Sequence, residues 1–241
     1  MKTYELLEAR KNPELNPKIS VNDEILRYNN AHRGERCYIS FTALDKLGVN
    51  PSSLHGTPIG VYCYPLEYVI DRIGGTGVMK ALPFAGSEKF ANLFTVDGNV
   101  IDLDDITNSV LESYWKTLKK VMPSELLDEL QELIDDSKHD AINRSPGGRF
   151  WYVVRACAML IATDTNRQIA VVSTELFRKL GIDGIVDRND AGIIHRNEPT
   201  QGVIFNPRVI KNVRRVMNKY SKDWMDARKE FGSSRKQETS V

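Results

Sequence analysis

The sequence predicts an α+β protein, with short strands near both ends of the chain and a helical middle. Apolar residues alternate or run together at 37–42, 57–64 and 90–96, and again between 184 and 205. Segments with the apolar spacing of helices lie between these two groups, from 103 to 180. Strands and helices do not alternate as repeated βαβ units would require, so a doubly wound sheet is not expected.

Six elements are expected in the first hundred residues. A short amphipathic segment at 21–28 precedes the first strand, and Pro58 and Gly60 mark the entry and the bend of the second strand. Gly48-Val49-Asn50-Pro51 stops a helical turn at 43–47, and the third strand closes at Asp97-Gly98-Asn99. The predicted elements are strands at 37–42, 57–64 and 90–96 and a helix at 66–73.

The middle of the chain is predicted to be helical. Ser124 is expected to be an N-cap, Pro146-Gly147-Gly148 a turn, and Gly181 the C-cap of the last helix. The predicted helices cover 103–120, 124–137, 151–163 and 173–180.

Short strands and a basic helical end are expected after residue 183. The strands cover 184–186, 192–195 and 202–205, and a helix follows over 207–225 before a partly disordered end. Residues 207–241 hold ten Lys/Arg against four Asp/Glu, a net charge of +6, and the chain total of +1 leaves −5 for the rest. This asymmetry suggests contact with DNA or RNA, and the alternative is a solvated terminal helix.

Length and composition limit the classes of protein to which this chain could belong. A chain of 241 residues, 41% hydrophobic and 27% charged, suits one large soluble domain or a domain with appendages. No apolar run approaches the ~20 residues that span a bilayer, and the first twenty residues lack the apolar core of a signal peptide. Cys37, Cys63 and Cys157 are widely spaced and odd in number, which favours free thiols in a reducing compartment over disulfides or a zinc site.

Three groups of residues could carry chemistry. In the first strand, Tyr38, Ser40 and Thr42 share one face, and their hydroxyls with nearby backbone groups offer the donor and acceptor pair that an amide-bearing ring such as nicotinamide needs. The alternative is a hydroxyl-lined strand that faces water. In the second strand, Tyr62 and Tyr64 share a face on which a ring could stack, or are core tyrosines with satisfied hydroxyls.

The third group lies where a polar loop leads into a β-branched strand. Asp187, His195, Glu198 and Gln201 precede the apolar run at 202–205, and such a junction can hold a carboxylate or amide rigidly in a cleft. The alternative is that His195, Asn197 and Thr200 only stabilise the turn. No phosphate-binding Walker A loop is present, and the glycines at 74–77 lack the spacing of a dinucleotide fingerprint.

At these residues the chain resembles the ADP-ribosyltransferase fold, most of all the phage-associated branch found in polyvalent proteins and stand-alone phage proteins. The resemblance covers roughly residues 36–210 and is most specific in its last block. Its blocks, in chain order, are 38–51, 57–66, 83–90, 146–152 and 180–207.

The resemblance implies a fold and an activity. The family binds NAD+ in a cleft between two small sheets, transfers ADP-ribose to a protein or nucleic-acid acceptor, and releases nicotinamide. It implies an ADP-ribosyltransferase-like domain at 36–210 with a helical insert at 103–145, after an N-terminal extension at 1–35 and before a basic helical tail at 211–241. The expected place of action is the cytoplasm of a phage-infected bacterium, or the virion.

The resemblance also implies roles for individual residues. Gln201 stands where many members carry the catalytic Glu, and Ser40 stands where His is common. Gln can hold the ribose 2′-hydroxyl but cannot oppose the charge of an oxocarbenium-like transition state, a loss worth about 10²–10³ in rate. Glu198 is the nearest carboxylate in the sequence. The implied catalytic set is Gln201, Glu198 and His195, and the implied NAD+-binding set is Ser40, Phe41, Thr42, Gly60, Tyr62 and Tyr64.

Two further hypotheses come from other functional classes. Gln201 favours a binding module that keeps the cleft but senses NAD+ or a nucleotide, or inhibits a host factor. The basic tail favours a virion-associated protein that binds DNA. No metal and no membrane partner are expected.

Overall fold

The computed structural model describes residues 21–42, 47, 58–73, 90–139, 145–187 and 201–217. The predicted turn at 43–47, of which only Leu47 is described, the strand at 192–195 and everything beyond 217 lie outside this part of the chain. None of the described helices is both long enough and apolar enough to cross a bilayer.

The described chain is α+β, as predicted, with its strands in one mixed seven-strand sheet in the order β4-β5-β6-β2-β1-β3-β7. Strands β4 and β5 are parallel, and the pairs β5–β6, β1–β2, β1–β3 and β3–β7 are antiparallel. The expected split into two small sheets is not seen among these strands, because β2 is hydrogen-bonded to β6 on one side and to β1 on the other. The strands are β1 (Arg36–Thr42), β2 (Val61–Pro65), β3 (Phe90–Val96), β4 (Val100–Asp102), β5 (Gly184–Asp187), β6 (Gln201–Ile204) and β7 (Ile210–Met217).

The chain divides into two compact units, and the boundary falls within β2. Of the described residues, unit 1 contains 21–42, 47, 63–73, 90–97 and 208–217, and unit 2 contains 58–62, 98–139, 145–187 and 201–207. Strand β7 belongs to unit 1 and lies beyond the predicted domain boundary at 210.

Unit 1 packs two helices, α1 (Val21–Ala31) and α2 (Leu66–Ile73), with its strands. Side chains alternate between the faces of a strand, so every second residue of β1 and β3 reaches the same core. An ion pair between Glu24 of α1 and Arg214 of β7 also joins helix to strand. The core of this unit consists of Ile25, Tyr28, Cys37, Ile39, Tyr64, Leu66, Val69, Ala91, Leu93 and Val216.

The prediction of a helix at 207–225 is wrong over residues 207–217. A 3-10 turn at Pro207–Val209 leads into β7, which pairs with β3. A β-bulge at Asn212, whose φ is +51°, adds one residue to β7. In the sequence the apolar residues Ile210, Val213 and Val216 stand three apart. That interval imitates helical spacing and hides the period of a strand.

Unit 2 surrounds β4, β5 and β6 with helices. Its core is aromatic: Phe177 stacks on Phe205 with ring centroids 4.9 Å apart and on Trp151 at 5.7 Å, and Phe150 meets Phe177 edge-on. The helices are α3 (Asn108–Val121), α4 (Leu127–His139), α5 (Pro146–Asp164) and α6 (Ile169–Lys179).

The predicted helices of unit 2 are confirmed, with different ends. The segment 103–120 contains a 3-10 turn at Leu103–Asp105 before α3 begins behind its N-cap Thr107, and strand β4 just before it was not predicted. Ser124 is not an N-cap, because it opens a 3-10 turn ahead of α4. Helix α6 ends at its C-cap Leu180, and Gly181 follows with a φ of +76°.

The predicted turn at Pro146-Gly147-Gly148 is instead the first turn of α5. Ser145 is the N-cap, and its hydroxyl accepts a hydrogen bond of 3.1 Å from the Gly148 amide. Pro146 is tolerated in this first turn because its missing N–H needs no partner there. A Cβ at Gly147 would lie 1.9 Å from the Leu103 carbonyl oxygen, so glycine lets the helix pass close to that backbone.

Candidate functional site

The predicted catalytic residues lie only partly within the described chain. His195 and Glu198 fall outside it, and the backbone of Gln201 begins β6. Gln201 stands opposite Asp187, the last residue of β5, in the antiparallel β5–β6 ladder. Opposite positions in such a ladder are about 5 Å apart between Cα atoms.

Asp187 therefore places a carboxyl group beside Gln201, the predicted catalytic position. Its side chain is only 4% exposed. Asp102 ends the neighbouring strand β4, where it pairs with Val186, one residue before Asp187. The Asp102 carboxylate accepts a hydrogen bond from the Asp104 amide at 3.0 Å, so it also caps the turn that follows.

These three positions occupy one edge of unit 2. The C-terminal ends of the parallel strands β4 and β5 meet there, and β6 starts at the same edge because it runs antiparallel to β5. The carboxyl ends of parallel strands are a common place for ligands to bind in α/β sheets. The edge combines Asp102, Asp187 and the backbone of Gln201.

Tyr62 is half-buried beside the core of unit 2. Its hydroxyl donates a hydrogen bond of 3.0 Å to the Pro58 carbonyl, which agrees with the alternative of a core tyrosine with a satisfied hydroxyl. Arg155, which the sequence analysis did not select, stands over the Trp151 ring at 5.9 Å. Burial lowers the pKa of Arg155, and the nearby Tyr62 opposes that shift.

Gly60 has a packing reason to be glycine. A Cβ there would lie 2.6 Å from the Ile204 carbonyl oxygen, so only glycine lets this segment run so close to β6. The adjacent Ile59 amide donates to the Thr174 hydroxyl at 2.8 Å. A role for Gly60 in binding NAD+ stays a prediction.

Tyr64 belongs to the hydrophobic core of unit 1 and is 8% exposed. Tyr62 packs against the core of unit 2. The two rings therefore take part in different cores, and stacking of nicotinamide on either of them stays a prediction.

The face of β1 that carries Tyr38 and Ser40 is buried. Ser40 is 6% exposed, so the alternative of a hydroxyl-lined strand facing water is wrong at Ser40. Tyr38 stacks on Phe94 of β3 with centroids 5.9 Å apart. Phe41 and Thr42 continue the backbone of β1, opposite Ala91 and Phe90, and their part in NAD+ binding stays a prediction.

Asn92 is the residue of this face that sequence reasoning missed. It stands opposite Ser40 on one side and opposite Arg215 on the other, at the centre of a row across β1, β3 and β7. Its side chain is fully buried, and within the described structure neither its amide oxygen nor its amide nitrogen has a hydrogen-bond partner. The available signal was an asparagine inside the apolar run Phe90-Ala91-Asn92-Leu93-Phe94.

The cysteines do not form a nucleophilic site. All three are buried free thiols. Burial raises the pKa of Cys37 to about 11 and that of Cys157 to about 12, so both are protonated at neutral pH. Within the described ranges, no group of three His, Cys, Asp or Glu residues is arranged to hold a metal ion.

Comparisons with protein-family models, with curated proteins and with solved structures found no match for this chain.

Proposed function

We propose that this chain is an NAD+-dependent ADP-ribosyltransferase of a phage-infected bacterial cell. It transfers ADP-ribose to a host protein or nucleic acid and releases nicotinamide. The single observation that carries the proposal is the buried Asp187 carboxyl group opposite Gln201. It places a carboxyl group beside the position where the resemblance implies a catalytic glutamate.

The reaction breaks the bond between the nicotinamide nitrogen and C1′ of its ribose. Nicotinamide leaves with the bonding electron pair, and positive charge develops on the ribose ring as in glycoside hydrolysis. A nucleophile on the acceptor then forms the new bond to C1′ and gives up its proton to a base. In this proposal Gln201 hydrogen-bonds the ribose 2′-hydroxyl, and Asp187 opposes the developing charge.

The remaining residues of the predicted set have supporting roles in this proposal. Glu198 and His195 precede β6 in the sequence and are candidates for the base that accepts the proton.

The decisive experiment is mass spectrometry of nicotinamide release from NAD+, with and without bacterial lysate. We expect release that requires lysate and falls by about 10²–10³ in Asp187→Asn and in Gln201→Ala. Glu198→Ala is measured in parallel, because it competes with Asp187 as the source of charge. Asp164→Asn, at the exposed end of α5, is the matched control and should release nicotinamide like the wild type.

Each result assigns or removes a role. If Asp187→Asn releases nicotinamide like the wild type and Glu198→Ala does not, Glu198 is the residue that opposes the developing charge. That result would overturn the role proposed for Asp187. A wild-type protein that neither releases nicotinamide nor binds NAD+ would end the proposal.

A second candidate function is an NAD+ or nucleotide sensor without turnover. Gln201 in place of a glutamate favours it, because an amide can hold a ligand without stabilising positive charge. NAD+ binding by calorimetry, with no nicotinamide release in any lysate, would establish this function in place of the transferase.

A further inference from the structure

The buried amide of Asn92 lies on a strand that has neighbours on both sides. Strand β3 pairs with β1 and with β7, so its backbone groups are largely engaged in the two ladders. The Asn92 side chain is fully buried, and the described part of the chain offers no hydrogen-bond partner to either end of its amide. Burying an unpaired amide opposes folding, so such a residue calls for a reason other than packing.

A residue of the same strand shows that unit 1 does satisfy polar groups elsewhere. Thr95 is 2% exposed, and its hydroxyl accepts a hydrogen bond of 3.0 Å from the Asn212 side chain. Asn92 is thus an exception within its own strand.

The strand face around Asn92 combines polar and aromatic side chains. Ser40 and Arg215 flank it on the two neighbouring strands, which gives a hydroxyl, an amide and a guanidinium in one row. Tyr38 and Phe94, two residues along from Ser40 and Asn92, share this face and stack on each other. Hydrogen-bonding groups and aromatic rings thus lie side by side on this face.

We infer that Asn92 recognises a planar ligand group that carries an N–H donor next to a lone-pair acceptor. A side-chain amide presents one acceptor and two donors, so it can make two hydrogen bonds to such an edge. The carboxamide of nicotinamide has this pattern, and so does the N6/N7 edge of adenine, which asparagine reads in nucleic acids. This inference rests on the proposed function, because NAD+ carries both groups.

Burial of Asn92 also bears on the rate of binding. Since the residue is fully buried, a ligand reaches it only after a conformational change. We therefore expect slower association than at an accessible, preformed site.

The test combines stability and binding in Asn92→Leu, a substitution of similar size. We expect a melting temperature in the absence of ligand that is equal to or above the wild-type value, together with affinity for NAD+ reduced about tenfold or more in calorimetry. A structural asparagine would give the opposite pattern, with a lower melting temperature and unchanged affinity. Asn92→Thr is the second variant, used if Asn92→Leu does not fold. Threonine is favoured in strands and lacks the amide's paired donor and acceptor.

Nicotinamide and adenosine are titrated separately to identify the group that is read. Loss of nicotinamide binding alone assigns Asn92 to the carboxamide, and loss of adenosine binding alone assigns it to adenine. Thr95→Val is the matched control on the same strand, and it should lower the melting temperature without changing either affinity.

The outcomes separate this inference from the proposed function. NAD+ affinity unchanged in both Asn92 variants overturns the inference and leaves the transferase proposal standing. Adenosine binding that depends on Asn92, in a protein that does not bind NAD+, supports the inference and ends the transferase proposal. A wild-type protein that binds none of the three ligands overturns both.

Discussion

Buried Ser and Thr hydroxyls are satisfied in different ways on the helices of unit 2 and on strand β3 of unit 1. In unit 2 the buried hydroxyls of Ser137 and Thr174 lie on helices, and each donates to a carbonyl of its own helix, at 2.7 Å and 2.8 Å. In unit 1 the buried Thr95 and Asn92 lie on β3, and the hydrogen bond that satisfies Thr95 comes from another strand.

This difference follows from backbone geometry. A helix presents carbonyl groups three and four residues back within reach of a Ser or Thr hydroxyl, so such a residue is satisfied locally wherever the helix packs. A strand between two neighbours uses its carbonyls and amides in the ladders, so a buried polar side chain depends on a partner from elsewhere. A buried polar residue on a central strand is therefore the more informative sign of function.

The largest expected effect concerns the tight backbone packing of unit 2. Gly147→Ala would place a methyl group against the Leu103 carbonyl oxygen, and we expect a loss of about 3 kcal/mol or more in the free energy of unfolding. Urea denaturation measures it. Pro146→Ala, in the same helical turn, is the control and should cost less than about 1 kcal/mol. Similar stability of the two variants would show that the α5 terminus can shift away from Leu103.

An intermediate effect is expected at Thr95 in unit 1. Thr95→Val removes the acceptor of the Asn212 side chain and leaves an amide at the bulge without that bond. We expect a loss of about 0.5–1.5 kcal/mol in the free energy of unfolding, measured by urea denaturation, because the exposed Asn212 amide keeps water and Glu35 as partners.

Ser137→Ala is the counterpart in unit 2 and sharpens the comparison. The Ile134 carbonyl that accepts the Ser137 hydroxyl lies in the body of α4, and alanine favours the helix. We expect a change below about 0.5 kcal/mol. Equal losses in the two variants would contradict the claim that helices and strands differ in this respect.

The smallest expected effect is a pH dependence in unit 1. The hydrogen bond from His32, 3.0 Å long, is the main cause that lowers the pKa of the exposed Glu35 carboxyl. A carboxyl group whose pKa is lowered in the folded state stabilises the protein at pH values above the pKa that it has in the unfolded chain. That stability is lost as the pH falls through its pKa in the folded state. Glu35→Gln should therefore melt below the wild type at about pH 7, and the gap should narrow below about pH 4.

Thermal unfolding across this pH range tests the prediction. The control is Glu132→Gln, an exposed glutamate of α4 with no hydrogen-bond partner in the described chain, which should show no such trend. If the difference in melting temperature between Glu35→Gln and the wild type stays constant with pH, the ionisation of Glu35 is not its cause.

Much of the fold could be predicted because its signals are local. The helices of unit 2 follow from apolar spacing, and the strands at 37–42 and 90–96 from short apolar runs. Strand β7 could not be predicted, because its apolar residues Ile210, Val213 and Val216 stand three apart in the sequence, an interval typical of a helix. The first turn of α5 was mistaken for a loop, because the need for Gly147 comes from the backbone of Leu103, 44 positions earlier in the sequence.

The candidate site was predicted less completely. Asp187 and Gln201 were selected as one group, and the β5–β6 register places them opposite each other. Asn92 was not selected, because a lone asparagine in an apolar run carries no motif. Its importance depends on burial and on the absence of a described partner, and neither can be read from one sequence.

The bulge in β7 has a consequence for solubility. β7 is the last strand in the described order, and a regular outer edge there would offer a row of N–H and C=O groups to a strand of another molecule. The extra residue at Asn212 breaks the regularity of that row, and the exposed Lys211 beside it adds a positive charge that two such edges would bring together. Removing the bulge by deleting one residue would thus favour edge-to-edge aggregation of the folded protein.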